Sequence, residues 1–297
     1  MRLFSIVVTF NGMRWYDRCL GSLLESETPV DIIVIDNAST DGSVAYIKAH
    51  FPEVCLIESH ENLGFAKANN IGIRKALDEE ADYVFLLNQD AWVEKDTISK
   101  LVQTFDDNEN VGIAAPIHLN GSKSGLDYNF AVNVGRDFVS DAYMKSLKSY
   151  YEMQFVCAAA WLVSRKCIDD VGGFDTSLFK HYAEDDNYCQ RVLFHGYKIV
   201  ANTDCAVCHD REERKAVDGK YNELSMQTPF IDDKSYYGDI NIAFDFKEIM
   251  RHLRLQMVVK VLKGRFNDAR FLRSKIACYE LIELSRKTNA SRGRHWL

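Results

Sequence analysis

No apolar run in this 297-residue chain approaches the roughly 20 residues that crossing a bilayer requires, so no spanning helix is expected. A leader pattern is missing as well: Met1-Arg2-Leu3-Phe4-Ser5-Ile6 passes straight into a strand pattern, and the chain is expected to stay in the cytoplasm. Internal repeats and low-complexity stretches are also lacking, which leaves an ordinary globular chain with one main core and an appendage. The eight cysteines (19, 55, 157, 167, 189, 205, 208 and 278) are scattered through apolar stretches, which suits buried reduced thiols and argues against disulfides. Cys205-Ala206-Val207-Cys208-His209 fits the attachment pattern of a c-type haem and offers three zinc ligands. Haem attachment normally follows export, and a zinc site wants a fourth ligand at a recognisable spacing, so neither is adopted.

The net charge of −7 conceals an asymmetry: residues 247–297 hold 13 Lys/Arg against 4 Asp/Glu, a balance of +9 that leaves −16 for the rest. An acidic body would need a bound cation to hold any polyanionic ligand. The basic tail carries Leu253, Leu255, Met257, Val258, Val259, Val261 and Leu262, which either pack on the body or touch anionic lipid on the inner face of the membrane. The tail also offers a surface for an oligomer, and no nucleic-acid partner is expected.

From residue 3 onward, short β-branched runs alternate with helical periods, the signature of βα units and a mostly parallel sheet. Strands are expected at 4–9, 31–36, 54–57 and 83–87, separated by helices, the last of which spans Phe65 to Glu79. The second half reads as a strand near 112–115, a β-ribbon around 128–163, a helix from about 183 to 195 and strand material at 197–208. Beyond 228 the pattern is helical, with a break at Lys263-Gly264-Arg265 and loose residues in the last ten. Arg191 and His195 are assigned to ion pairs or surface cover.

Ligands of open sheets bind beyond the carboxyl ends of the strands, so Asn11, Asp36, Asn37 and Asp90 should converge on one crevice. A carboxylate such as Asp90, placed directly after a buried strand, suits Mg²⁺ or Mn²⁺ bridging to diphosphate oxygens. Asp36 and Asp41 end a neighbouring strand where a base or ribose could be gripped, Asp41 doubling as a helix cap. Glu184-Asp185-Asp186 opens a helix whose dipole favours negative charge, but three acids exceed what capping needs. One of them could deprotonate an acceptor hydroxyl. His209 ends a strand-like run and could give a neutral imidazole to the same cation.

In order along the chain stand Thr9-Phe10-Asn11, Asp36-Asn37-Ala38-Ser39-Thr40-Asp41, Asn62-Leu63-Gly64-Phe65, Asn70-Ile71-Gly72, Asn88-Gln89-Asp90, Gly173-Phe174-Asp175 and Glu184-Asp185. This set resembles a family 2 glycosyltransferase of the GT-A fold over roughly residues 3–210, nearest to its rhamnosyltransferase-like branch. The resemblance implies an α/β catalytic domain at 1–227, with a Rossmann-like mostly parallel sheet flanked by helices. Its nucleotide-binding half would cover about 1–117 and its acceptor half about 118–227, and 228–297 would form a helical C-terminal region. It further implies that Thr9, Asn11 and Asp36 contact base and ribose, that Asn62 and Lys67 line the nucleotide pocket, and that Phe10, Asn37, Gly64, Asn70, Asn88 and Gln89 belong to the same donor site. Asp90 and His209 would hold the metal, Asp185 would be the catalytic base, and Trp161, Glu184 and Asp186 would lie on the acceptor side. Two positions depart from the family pattern: Asn88 stands where many relatives have an acid, and Asn187 stands where a second Asp often follows the base.

The function implied is inverting transfer of a sugar, rhamnose on a thymidine carrier being favoured by the resemblance, from a UDP- or dTDP-sugar to a saccharide or polyprenyl-linked acceptor in bacterial surface polysaccharide synthesis. Two alternatives share the fold elements. A sugar-nucleotidyltransferase normally has a Gly-rich, Arg-containing loop after the first strand, whereas Asn11-Gly12-Met13-Arg14-Trp15 has one glycine. A non-catalytic nucleotide-sugar binding protein would not need acids at both 90 and 185.

Overall fold

The computed structural model describes residues 1–211 and 229–297. Its first half is a parallel sheet of β1 (Leu3–Thr9), β2 (Asp31–Asp36), β3 (Cys55–Glu58) and β4 (Tyr83–Asn88). The connections are α1 (Tyr16–Leu24), α2 (Ser43–His50) and α3 (Gly64–Asp78). The spatial order is β3-β2-β1-β4. Residues of β1 are apolar on both faces because both faces are covered: Phe4 and Ile6 join one buried layer, Leu3 and Val7 the other.

The second half is mixed in direction. It runs through β5 (Ala91–Val93), α4 (Thr97–Asp107), β6 (Val111–Asn120), α5 (Tyr128–Asn133), α6 (Arg136–Tyr143), β7 (Tyr150–Met153), β8 (Ala160–Ser164), α7 (Arg165–Val171), α8 (Glu184–Phe194) and β9 (Lys198–His209). Strand β8 slots antiparallel between β4 and β6, and β6 pairs in parallel with β9. Two short antiparallel partners, β7 and β5, flank opposite ends of β9. The ribbon expected around 128–163 is not formed. The Asp127 carboxylate accepts from the Asn129 and Phe130 N–H groups and so starts α5, while Phe130 and Phe138 bury one face of the α5–α6 pair. Strands β7 and β8 then pair with other strands instead of each other.

The C-terminal region comprises α9 (Ile231–Gly238), α10 (Phe246–Leu262) and α11 (Phe266–Asn289). The boundary expected at 227/228 lies outside the described residues. Phe246, Met250, Tyr279 and Ile282 close a third apolar cluster over Leu178 and Phe179, so the root of this region packs on the body. Asp175 binds the two together: one carboxylate oxygen accepts from Ser177 N (2.9 Å) and Leu178 N (3.2 Å), the other from Asn289 Nδ2 (3.0 Å) and the Ser285 hydroxyl. We expect Asp175→Ala to cost about 3 kcal/mol, because it strands several buried donors at once. Chemical denaturation measures it, and a loss below about 0.5 kcal/mol, the range of ordinary surface changes, would contradict this account.

The last ten residues are not loose. Gly173 N donates to His295 O (2.8 Å), Gly293 N donates to Asp170 O (2.9 Å), Arg294 pairs with Asp169 (2.7 Å), and Leu297 packs on the core. Gly172 permits this approach: its φ is +82°, and a Cβ there would lie 2.3 Å from His295 O. Arg191 is fully buried, donating to Val171 O (2.8 Å), Gly173 O (2.7 Å) and Asn187 Oδ1 (3.1 Å), so it braces this corner and makes no surface cover. His195 is buried too, with Nε2 2.9 Å from Asn289 O.

Candidate active site

The register aligns the carboxyl ends of the parallel strands, Thr9 opposite Asp36 and Val8 opposite Asn88. A cleft of about 620 Å³ opens there, lined by Asn88, Gln89 and Asp90 from one side and by Cys157, Ala158, His181, Tyr182, Glu184, Asp185 and Arg211 from the other. The entry to α8 is strained, Tyr182 and Ala183 both having φ of 65°, a conformation costing on the order of 1–3 kcal/mol each for residues with a Cβ. That turn aims the first acids of α8 at the cleft. Gly64 meets it from α3: with φ +79°, any Cβ would sit 2.6 Å from Lys180 O.

Several of the expected donor contacts are loop brackets. Asn11 accepts from Thr40 N (2.8 Å), Asn62 accepts from Gly64 N (2.9 Å), and Asn37 accepts from Leu63 N (2.8 Å) while donating to Gly64 O (3.2 Å). Thr9 is buried and donates to Gln89 Oε1 (2.6 Å), which also accepts from Phe10 N (3.0 Å). Phe10 and Lys67 are exposed. Asp36 is buried, one carboxylate oxygen accepting from Ser39 N (3.0 Å) and the other having no hydrogen-bond partner among the described residues. Such an acceptor is costly unless a ligand donor satisfies it.

Asn70 and Trp161 are drawn away from the cleft. Asn70 is spent on the body, accepting from Phe174 N (2.7 Å) and donating to Phe174 O (2.8 Å). Trp161, expected on the acceptor side, is fully buried between Phe174 and Tyr188. Its strand alternates between two covered faces, Trp161 and Val163 entering one apolar layer and Ala160 and Leu162 the other.

Asp90 and His209 come together at the ends of adjoining strands, Oδ1 lying 3.4 Å from Nε2, both residues buried. Asn88 Nδ2 is 3.4 Å from the same nitrogen. Behind His209, Nδ1 lies 3.5 Å from Asp127 Oδ2 and 3.1 Å from Arg211 Nε. Burial opposes ionisation of Asp127, but the His209 hydrogen bond and the Arg211 charge outweigh it and hold the carboxyl at about 2. His118, stacked on Phe130 at 5.3 Å, is driven down to about 3 by burial and then by His209, so it is neutral. Asp127, Arg211 and His118 were missed from sequence. Asp127 and Arg211 sit in loops with no spacing signal, and His118 lies inside a buried strand where it reads as core.

The carboxylate–imidazole pair is a donor set suited to Mg²⁺ or Mn²⁺. Among the described residues no group of three or more His, Cys, Asp or Glu could hold a metal, so further ligands would be phosphate oxygens and water. The Cys205–His209 run forms no such cluster: it is extended in β9, with Cys205 and Val207 entering one layer while Ala206 packs on the opposite one.

The three acids of α8 divide. Asp186 accepts from Ser235 Oγ (2.8 Å) and Gln190 Nε2 (3.0 Å) and does not line the cleft. Burial, and then Asp185, push Glu184 well above the usual carboxylate range, and its Oε2 has no partner among the described residues. Burial raises Asp185 as well, but N–H groups of Asp186 (3.0 Å) and Ala158 (3.4 Å) favour its charged form. Of the adjoining pair, Asp185 is the one whose charged form receives backbone N–H donors.

Residues 5–172 match the model of glycosyl transferase family 2. The chain belongs to that family. This family 2 glycosyltransferase is 27% identical over 209 residues to the dTDP-rhamnosyl transferase of Shigella flexneri, covering 70% of this chain and 68% of that one. It is 26% identical over 232 residues to the N-acetylglucosaminyl-diphospho-decaprenol L-rhamnosyltransferase of Mycobacterium tuberculosis, covering 69% and 75% respectively. These relatives set it in the rhamnosyltransferase-like branch. The mannosyltransferase of Pyrobaculum calidifontis in complex with GDP-mannose and Mn²⁺ superposes on 97% of this chain and 86% of that one, with a TM-score of 0.56 at 16% identity. The GT-A fold is thus shared. Among the described residues, no helix is long and apolar enough to cross a membrane.

Proposed function

We propose that this glycosyltransferase moves rhamnose, with inversion, from a thymidine or uridine diphosphate sugar to a hydroxyl of a lipid-linked saccharide. One observation carries the reading: Asp90 and Asp185 line a single cleft at the carboxyl edge of the parallel strands. The names of the two rhamnosyltransferase relatives support the sugar, and the decaprenol-linked substrate of the mycobacterial one supports the acceptor class.

Asp36 would accept from the base or ribose through its unsatisfied oxygen. Asp90 and His209 would hold the cation; for Nε2 to present its lone pair, Nδ1 would carry the proton and donate to Asp127 in place of accepting from Arg211 Nε. When bound, Mg²⁺ or Mn²⁺ supplies charge neutralisation at the leaving diphosphate. Asp185 would accept the proton of the acceptor hydroxyl as its oxygen bonds to the anomeric carbon, and the bond to the diphosphate breaks with both electrons leaving on phosphate oxygen. Glu184, protonated, would donate a hydrogen bond to the acceptor. Calorimetric titration with dTDP, UDP and GDP, with and without Mn²⁺, tests the donor half. Cation-dependent binding of dTDP or UDP is expected, and no binding of any diphosphate would overturn the reading.

A further inference from the structure

The apolar residues of the basic tail do not all pack on the body. Leu255, Val258, Val259 and Leu262 fall at i, i+3, i+4 and i+7 of α10 and form one exposed stripe along its outer half. The stripe continues across the Gly264 turn to Phe266, and Leu262 and Phe266, 81% and 67% exposed, mark the tip of the α10–α11 hairpin. Scattered single apolar residues on a surface need no explanation, but a contiguous stripe at the end of a projecting hairpin does.

Charge says what covers it. Residues 251–275 hold eight Lys/Arg against the single acid Asp268, and Arg251, Arg254 and Lys275 pair with Glu248, Glu280 and Asp233 outside that span. Lys260 and Arg265 share Asp268, while Lys263, Arg270 and Arg273 pair with no acid among the described residues. We infer that the hairpin tip docks on an anionic bilayer, its apolar stripe entering the headgroup–acyl boundary and its basic residues meeting lipid phosphates. A second copy of this chain would bring like charges together across a narrow apolar strip, which disfavours that occupant.

The docking deepens the reading of a lipid-linked acceptor and rests on it. The root of α10 packs on Leu178 and Phe179, a few residues before His181 and Tyr182 at the cleft. From Met250 to Leu262 the helix rises about 18 Å, so a bilayer at the tip would stand roughly that far from the acceptor side of the cleft.

The test is cosedimentation of the full chain with phosphatidylcholine vesicles, with and without phosphatidylglycerol, beside dTDP and UDP titrations on the same protein samples. Expected is binding to the anionic vesicles only, weakened by salt. The triple variant Lys263→Gln, Arg270→Gln, Arg273→Gln should bind on the order of a hundredfold more weakly. Leu262→Ser with Phe266→Ser should abolish the residual binding at high salt, with unchanged thermal melting and nucleotide affinity. Equal binding to neutral and anionic vesicles, or none to either, would overturn the docking, as would a stable dimer that the Leu262→Ser, Phe266→Ser pair dissociates. If vesicles bind and no nucleotide does, the transferase reading falls instead.

Discussion

Asp185→Asn should lower the transfer rate on the order of a thousandfold, within the usual range for removing a general base, while leaving donor affinity within about twofold. The amide keeps the shape, and its single oxygen can still accept from one of the Ala158 and Asp186 N–H groups, which bond different carboxylate oxygens, but it cannot take a proton. Burial raises the Asp185 carboxyl, so the wild-type rate should rise with pH along an acid limb displaced upward from that of an ordinary aspartate. The residual rate of the variant should lack that limb. Asp186→Asn is the control: its carboxylate serves Ser235 and Gln190, and turnover should change by no more than a few-fold. Single-turnover kinetics with labelled donor separates the two, and near wild-type turnover in Asp185→Asn would sink the assignment.

Asp90→Ala should abolish the Mn²⁺ dependence of dTDP or UDP binding and weaken it roughly a hundredfold, since it removes the one carboxylate of a two-residue donor set. His209→Ala should have the same sign and a smaller effect, because a water can replace a neutral ligand more easily than a charged one. Asp127→Asn should lower Mn²⁺ affinity without touching either ligand, by roughly 10- to 100-fold, as loss of a supporting carboxylate behind a metal-bound histidine does. Each is read by titrating Mn²⁺ at fixed nucleotide. Unchanged cation dependence in Asp90→Ala would remove Asp90 from the cation site.

The parallel half of the fold was legible because its signal is local. A strand covered on both faces must be apolar throughout, and the polar residues that end β1, β2 and β4 mark the edge where the cleft opens. The helical start at Glu184 was legible for a similar reason, acids gathering where the helix dipole favours them. The region 128–163 was misread as a ribbon because the Asp127 cap starts a helix there, and a cap is one hydrogen-bonded side chain, not a period.

Residue types, order and periodicity in the sequence by themselves determined the parallel half of the sheet, the acids placed at 90 and 184–186 and the charge of the tail. Only the tertiary structure decided which of those groups are available. It spent Asn70 and Arg191 on backbone carbonyls, sank Trp161 into the core, drew Asp186 to Ser235, put Asp127 behind His209, and packed the root of the tail while leaving its tip bare. The reason is that a side chain's chemistry is written in its own residue, but its partners come from strands and helices distant in sequence, and burial and partnership fix what that chemistry can do.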